Sequence, residues 1–170
     1  MGKSRVDDII EYIDQKKSGE KGDIQIVKDF LIAELGDGSL AIQIEYLREV
    51  FDIQDKRDIA IIPFTPPYIK GIINVRNEII PVLSFAEILK TAANEEDYRK
   101  MVIIEYKQTK IGFPIAGIID LKTVEVSTIR KIKDVKKLAE NTFINEEFAV
   151  GKLNVGILDI PVFFGSQFIS

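Results

Sequence analysis

Carboxylates, ammonium groups and guanidinium groups are the reactive chemistry this chain carries, because its 170 residues include no histidine and no cysteine. That removes the commonest general base, the commonest metal ligand and every Ser/His or Cys/His nucleophile arrangement. Metal binding would fall to carboxylates alone. The acidic runs that could supply them, Glu95-Glu96-Asp97 and Glu146-Glu147, read as solvated loops. No glycine-rich phosphate loop follows a strand, and no dinucleotide fingerprint occurs. Arg130, Lys131, Lys133, Lys136 and Lys137 form a basic run that covers more than one helix face, with Phe143 the only aromatic nearby. Surfaces for single-stranded nucleic acid interleave aromatics with positive charge, so nucleic acid is not an expected partner. A net charge of −4 gives no bulk attraction to nucleic acid or to an anionic membrane either. The residues therefore point away from an enzyme, and no cofactor or metal is expected.

Two charges stand out by position. Residues 62–85 read IPFTPPYIKGIINVRNEIIPVLSF. Pro63, Pro66 and Pro67 fix φ and push their predecessors towards extended backbone. Thr65 is placed to cap a helical turn opening at Pro66-Pro67 and ending near Gly71. Residues 72–75 and 78–85 then form two strands around Arg76-Asn77, since Asn tolerates positive φ. The result is a proline-stiffened lead into a hairpin with an arginine at its tip, which suits docking better than catalysis. Glu49 is the second charge. It lies in a strand flanked by Val50 and Phe51, and alternation turns it to the surface, opposite Val50. On the residues alone, Glu49 and Arg76 also read as ordinary exposed charges.

The elements that must position these groups are mostly strands. Hydrophobic residues make up 46% of the chain, enough for a real core. Residues 1–26 read as an amphipathic helix and a linker. Val6, Ile9, Ile10 and Ile13 share one helical face, and 16–23 (KKSGEKGD) are polar. This extension docks on its own domain, binds a partner, or is a fraying tail. Residues 27–165 form one domain, with lobe one at about 27–90, lobe two at about 100–165 and a polar crossover at 91–100, the boundaries being approximate because strands can cross over between lobes. Strands are expected at 30–35, 40–44 and 47–53, with a polar loop at 55–60 and a short helix at 85–89. They resume at 101–106, 111–115 and 118–126. A long connection at 127–145 leads to a closing hairpin, 148–150 with 154–160, and a tail at 162–164. The halves repeat one order of elements, which argues for two small barrels. Gly71, Asn74, Val75, Ile80, Pro81 and Val82 also recur at identical spacing as Gly151, Asn154, Val155, Ile160, Pro161 and Val162. Aligning the hairpins by strand order gives a different register. Pro81 inside an apolar run marks an edge, a bulge or a barrel corner.

Leu47-Arg48-Glu49-Val50, then Pro63, then PPYIKGIINVRNEIIPVLSF, then KIGFPIAGI at 110–118, resemble the CheW family of chemotaxis coupling proteins in order. The resemblance runs from about residue 28 to 164 and is most specific over 71–85. It implies an all-β fold with short helices: two pseudo-symmetric five-stranded SH3-like barrels. It implies a cytoplasmic, non-enzymatic adaptor, monomeric when free and without membrane insertion of its own. Such proteins join the regulatory domain of the histidine kinase CheA to the cytoplasmic tips of methyl-accepting chemoreceptors. Carried onto this chain, the protein-binding set is Glu49 and Arg76, with Gly71, Val50, Asn74 and Asn77 around them, and the receptor lies in an apolar groove between the lobes. There are departures. Asn77 stands where the family usually has glycine. Ile115-Ala116-Gly117-Ile118 stands where it usually has Val-Asp-x-Val. The N-terminal helix is longer than the usual lead-in. A divergent or paralogous member is expected. Deleting residues 1–22 is expected to leave the barrels folded, with a cooperative thermal transition and unchanged strand signal by circular dichroism.

Overall fold

Apolar runs with no polar residue between them, such as FLIA at 30–33 and MVII at 101–104, are what strands with two buried faces require. A computed structural model describes residues 6–11, 24–55, 58–134 and 142–169. It contains strands β1 (Val27–Glu34), β2 (Ser39–Gln43), β3 (Leu47–Asp52), β4 (Ile59–Ala60), β5 (Ile69–Val75) and β6 (Glu78–Leu83). They are followed by β7 (Lys100–Tyr106), β8 (Thr109–Ile115), β9 (Gly117–Glu125), β10 (Arg130–Lys131), β11 (Ile144–Val150) and β12 (Leu153–Leu158). Residues 6–11 form helix α1, Phe85–Leu89 helix α2 and Ile160–Phe164 helix α3.

The strands make two six-stranded sheets, in the orders β10-β11-β12-β2-β1-β9 and β3-β7-β8-β6-β5-β4. Five strands were expected in each; the two-residue strands β4 and β10 raise the number to six. The sequential lobes, 27–90 and 100–165, are not how the strands pair. Hairpin β1–β2 completes the sheet of β9–β12, and hairpin β7–β8 completes the sheet of β3–β6. Register enforces the exchange: β1 pairs with β9 from Val27↔Glu125 to Glu34↔Gly117, and β3 pairs with β7 from Leu47↔Ile104 to Asp52↔Lys100. The chain passes between sheets twice, through the 3-10 turn Ile44–Tyr46 and at Ala116, whose N–H donates to the Glu34 carbonyl at 2.9 Å. The polar segment expected as the inter-lobe crossover instead links α2 to β7 beside the second sheet.

Three apolar clusters follow from this exchange. Phe30, Ile32, Ala41, Phe148 and Ile157 fill the first sheet's own core. Ile73, Ile80, Val82, Met101 and Ile103 fill the second's. Between the sheets lies the largest cluster, with Leu31, Ala33, Leu40 and Ile42 from one side and Val50, Val102, Ile104 and Phe113 from the other. Alternation explains the division: in β1, Phe30 and Ile32 face one core while Leu31 and Ala33 face the other. Each such side chain contributes about 1.5–3 kcal/mol relative to exposure. Aromatic rings close the seam. Phe85 of α2 stacks on Phe113 at 4.0 Å, and Phe163 of α3 meets Phe113 at 5.7 Å. Residues 162–164, expected to pack as a tail, belong to helix α3, because Asp159 accepts from the Val162 N–H at 3.0 Å and Pro161 opens the first turn. Val6 of α1 is 8% exposed within the same seam, with Ile10 packed against it. The expected helix positions 12–13, the linker 16–23, and Lys136 and Lys137 lie outside the described residues.

The identically spaced echo does not correspond in structure. Gly71 lies in β5 but Gly151 in a turn, and Pro81 lies in β6 but Pro161 in α3. Hairpins β5–β6 and β11–β12, each followed by a capped helix, are the true counterparts. Pro81 sits where β6 has β5 on one side and meets β8 only at Val82, so its missing N–H breaks no rung. Thr65 caps nothing. Its hydroxyl donates to the Ile62 carbonyl at 2.9 Å, and Pro66–Ile69 is a single β-turn closed at 2.9 Å. Pro63 followed by Phe64 at φ 62° has the pattern of a type II turn.

Glu95 is not the solvated carboxylate its neighbours suggest. Its side chain is 3% exposed, Oε1 accepts the Ala86 N–H at 3.0 Å, and Lys70 Nζ lies 3.7 Å from Oε2. Beside it the buried Tyr98 hydroxyl donates to the Leu35 carbonyl. Burial, then the carboxylates of Glu95, Asp37 and Glu34, push the Tyr98 pKa above its usual value of about 10. The native state then keeps a proton that the unfolded chain releases, so this contribution is full below pH ~10 and lost as pH rises through the native pKa. Tyr98→Phe is expected to lower stability by about 1 kcal/mol at neutral pH and to flatten the loss above pH ~10. Urea titrations from pH 8 to 11 check both; Tyr46, also raised by burial, leaves a residual slope.

Candidate functional site

The tip of the β5–β6 hairpin is a two-residue loop closed by the pair Val75↔Glu78. Arg76 has φ 50° and Asn77 φ 67°, both positive as a type I′ turn requires. Such a φ suits Asn but strains an ordinary L residue by roughly 1–2 kcal/mol, so the backbone holds Arg76 in an uncommon conformation. The Asn74 side-chain oxygen accepts the Asn77 N–H at 3.0 Å and braces the loop. Hairpin β7–β8 repeats the device with Lys107 at 46° and Gln108 at 68°.

Arg76 and Glu49, distant in sequence, meet. Arg76 Nη2 donates to Glu49 Oε1 at 3.2 Å. The Arg76 side chain is 76% exposed and that of Glu49 25%. An exposed pair of this kind contributes about 0.2–1 kcal/mol, so it orients the guanidinium more than it stabilises the fold. A guanidinium has five N–H donors, which leaves capacity for carbonyls or a carboxylate on another molecule. Around this pair the second sheet carries Lys110–Glu78 at 2.6 Å, Lys100–Asp52 at 2.6 Å and Arg48–Glu105 at 2.7 Å. Sequence reasoning missed these partners, because cross-strand neighbours appear only once the strand order is known.

The outer face of the same hairpin is apolar. Ile79, opposite Asn74, is 70% exposed, and Ala60 and Pro81 are exposed near half-buried Ile72. Ile61 and Phe64 stand out in the proline-rich loop, Phe64 fully in solvent. The alternation of EIIPVL carried this signal: with Ile80 in the core, Ile79 must face outwards.

The remaining expected site residues serve other purposes. Val50 is not at this surface; it is 8% exposed in the inter-sheet seam and anchors the strand that carries Glu49. Gly71 has φ 144° at a β-bulge where β5 passes β4. A Cβ there would overlap the Ala60 carbonyl oxygen and lie 2.9 Å from its carbon. Among the described residues, no group of three or more acidic side chains converges as a metal site would need, and no helix is long and apolar enough to cross a membrane.

Two curled sheets, each with its own core and joined through a shared one, define the class of paired SH3-like barrels. The CheW-like domain family matches residues 29–167, and the chain belongs to that family. It is similar to the chemotaxis protein CheW of Rhizobium meliloti (strain 1021), 23% identical over 141 residues that span 82% of this chain and 89% of that protein. It is also similar to the chemotaxis protein CheW of Treponema pallidum (strain Nichols), 27% identical over 139 residues, 79% of this chain and 80% of that one. Among solved structures, the scaffolding protein TtCheW from Thermoanaerobacter tengcongensis shares the fold, with a TM-score of 0.70 and 21% identity over 84% of this chain and 95% of that chain.

Gly71→Ala is expected to lower stability by about 2–3 kcal/mol, because both the φ and the approach of β4 must change. Asn77→Gly, which keeps the turn, should leave the urea midpoint unchanged or slightly raised.

Proposed function

We propose that this chain is a non-enzymatic adaptor that couples chemoreceptors to the histidine kinase CheA in a chemosensory array. The observation that carries the reading is the match of the CheW-like family over nearly the whole two-barrel unit. The hairpin adds a physical rationale. Arg76 is oriented by Glu49 on a rigid turn, next to exposed Ile79. An aliphatic anchor beside an arginine with spare donors is the composition of a protein-binding hot spot. In this reading the partner at Arg76 and Glu49 is the CheW-like regulatory domain of the kinase. Asn77 shapes the tip, Asn74 and Gly71 hold its backbone, and Val50 fixes the strand behind it. The receptor's helical tip docks in the apolar groove between the sheets. The protein is cytoplasmic, monomeric when free and recruited to membrane-associated arrays by its partners.

A titration against the regulatory domain of a CheA kinase from the same cell, at physiological salt, tests the reading. Saturable binding by the wild type is expected. Arg76→Ala, with its melt unchanged, should weaken it at least tenfold, as a central guanidinium contributes ~2 kcal/mol or more and a rim one under ~1. Equal binding by both proteins would remove Arg76 from the interface. No binding by the folded wild type would sink the kinase assignment.

A further inference from the structure

We infer that α1 of this chain is a resident, displaceable occupant of the apolar groove between the two sheets, the place that the proposed function gives to the receptor's helical tip. Among the described residues three helices pack on the seam, and they are held very differently. α2 contributes buried Phe85, Ile88 and Leu89, and Ser84 caps it directly after β6. α3 contributes Ile160 and Phe163, capped by Asp159 directly after β12. Within residues 6–11, the described part of α1, one side chain is buried, Val6, with Ile10 half-buried against the same cluster. Those two residues are four apart and so lie on one helix face, while Asp7, Asp8 and Glu11 are exposed. α2 and α3 each follow a strand directly, whereas the described part of α1 stops at Glu11 and β1 begins only at Val27, so α1 can leave without breaking the β1 ladder.

The resident helix defines what the seam accepts: branched aliphatic side chains at i and i+4, flanked by carboxylates on the solvent side. A partner helix with that pattern would meet the apolar cluster, built from both sheets, on which Val6 and Ile10 pack. Tethering gives α1 a high local concentration, so it sets a threshold that an incoming helix must exceed. Binding at the seam is then an exchange of one helix for another.

The exchange is read with the full chain. With no native cysteine, Asp8→Cys accepts a single fluorophore on the exposed side of α1. Ile10→Asp, at a half-buried position, releases α1 without altering a strand. A fluorescent peptide of residues 1–15 should bind the Ile10→Asp chain saturably and the wild type at least fivefold more weakly. Equal binding to both, or to neither, would overturn the proposal. Its last step rests on the receptor half of the proposed function. A purified chemoreceptor tip fragment should compete with the peptide, raise the mobility of the Asp8→Cys label, and bind Ile10→Asp several-fold more tightly than wild type. A fragment that binds without displacing the peptide would overturn the shared site. A fragment that does not bind at all would refute the receptor assignment, while the peptide result still decides whether the seam takes a helix.

Discussion

The structure depends on four strands that are buried on both faces. β1, β2 and β7 each send alternate side chains into a barrel core and into the seam between barrels, while β8 sends Ile111, Phe113 and Ile115 into the seam and turns Gly112 to the second core. Neither face can be given to water without exposing leucine, isoleucine, valine or phenylalanine, so the two sheets are committed to each other. The stacked Phe85 and Phe113 rings and the neighbouring Phe163 extend the seam to the helices at either side. With the hydrophobic effect fixing the relation of the sheets, polar groups are left to shape the surface.

That division explains the character of the hairpin. Its backbone is strained at Arg76, and the strain persists because β5 and β6 are locked below it and Asn74 braces it from the side. The tip thus presents a charge at a defined place at little entropic cost to a later binding event. Glu49 lies on a strand whose other face is anchored in the seam by Val50, so the carboxylate that orients Arg76 is itself fixed. A lysine in place of Arg76 would keep the charge but lose the planar fork that can hold Glu49 and a second acceptor together.

Much of this was legible in the sequence. Proline, glycine and asparagine punctuation located the hairpin and its tip, and family motifs brought out Glu49 and Arg76. The strand-rich, doubled architecture could be read from the spacing of turns. What could not be read was pairing. Nothing local in FLIA at 30–33 says that its partner is β9 and not β3, so a crossing of strands between sequential lobes could be allowed for but the hairpins that cross could not be named. For the same reason the contact of Arg76 with Glu49 was invisible, although both residues had been singled out. Glu95 shows another limit. Three consecutive acidic residues look alike in composition, and only the nearby unpaired N–H of α2 draws one of them inside. Thr65 shows the reverse, a residue suited to capping that sits before a turn too short to need it.

The exchanged hairpins also impose an order on how the chain becomes a protein. During synthesis β1 and β2 emerge first, yet Val27 pairs with Glu125, and β2 acquires its parallel neighbour only when β12 arrives. The second sheet can close once β8 has been made, while the first must wait for nearly the entire chain. Contacts of such long sequence separation slow folding, because much of the loop entropy is lost before they form. The nascent hairpin meanwhile presents two apolar faces and two open edges. The barrel that begins the chain is thus the last to be completed, and its earliest strands are the ones most exposed to misassociation on the way.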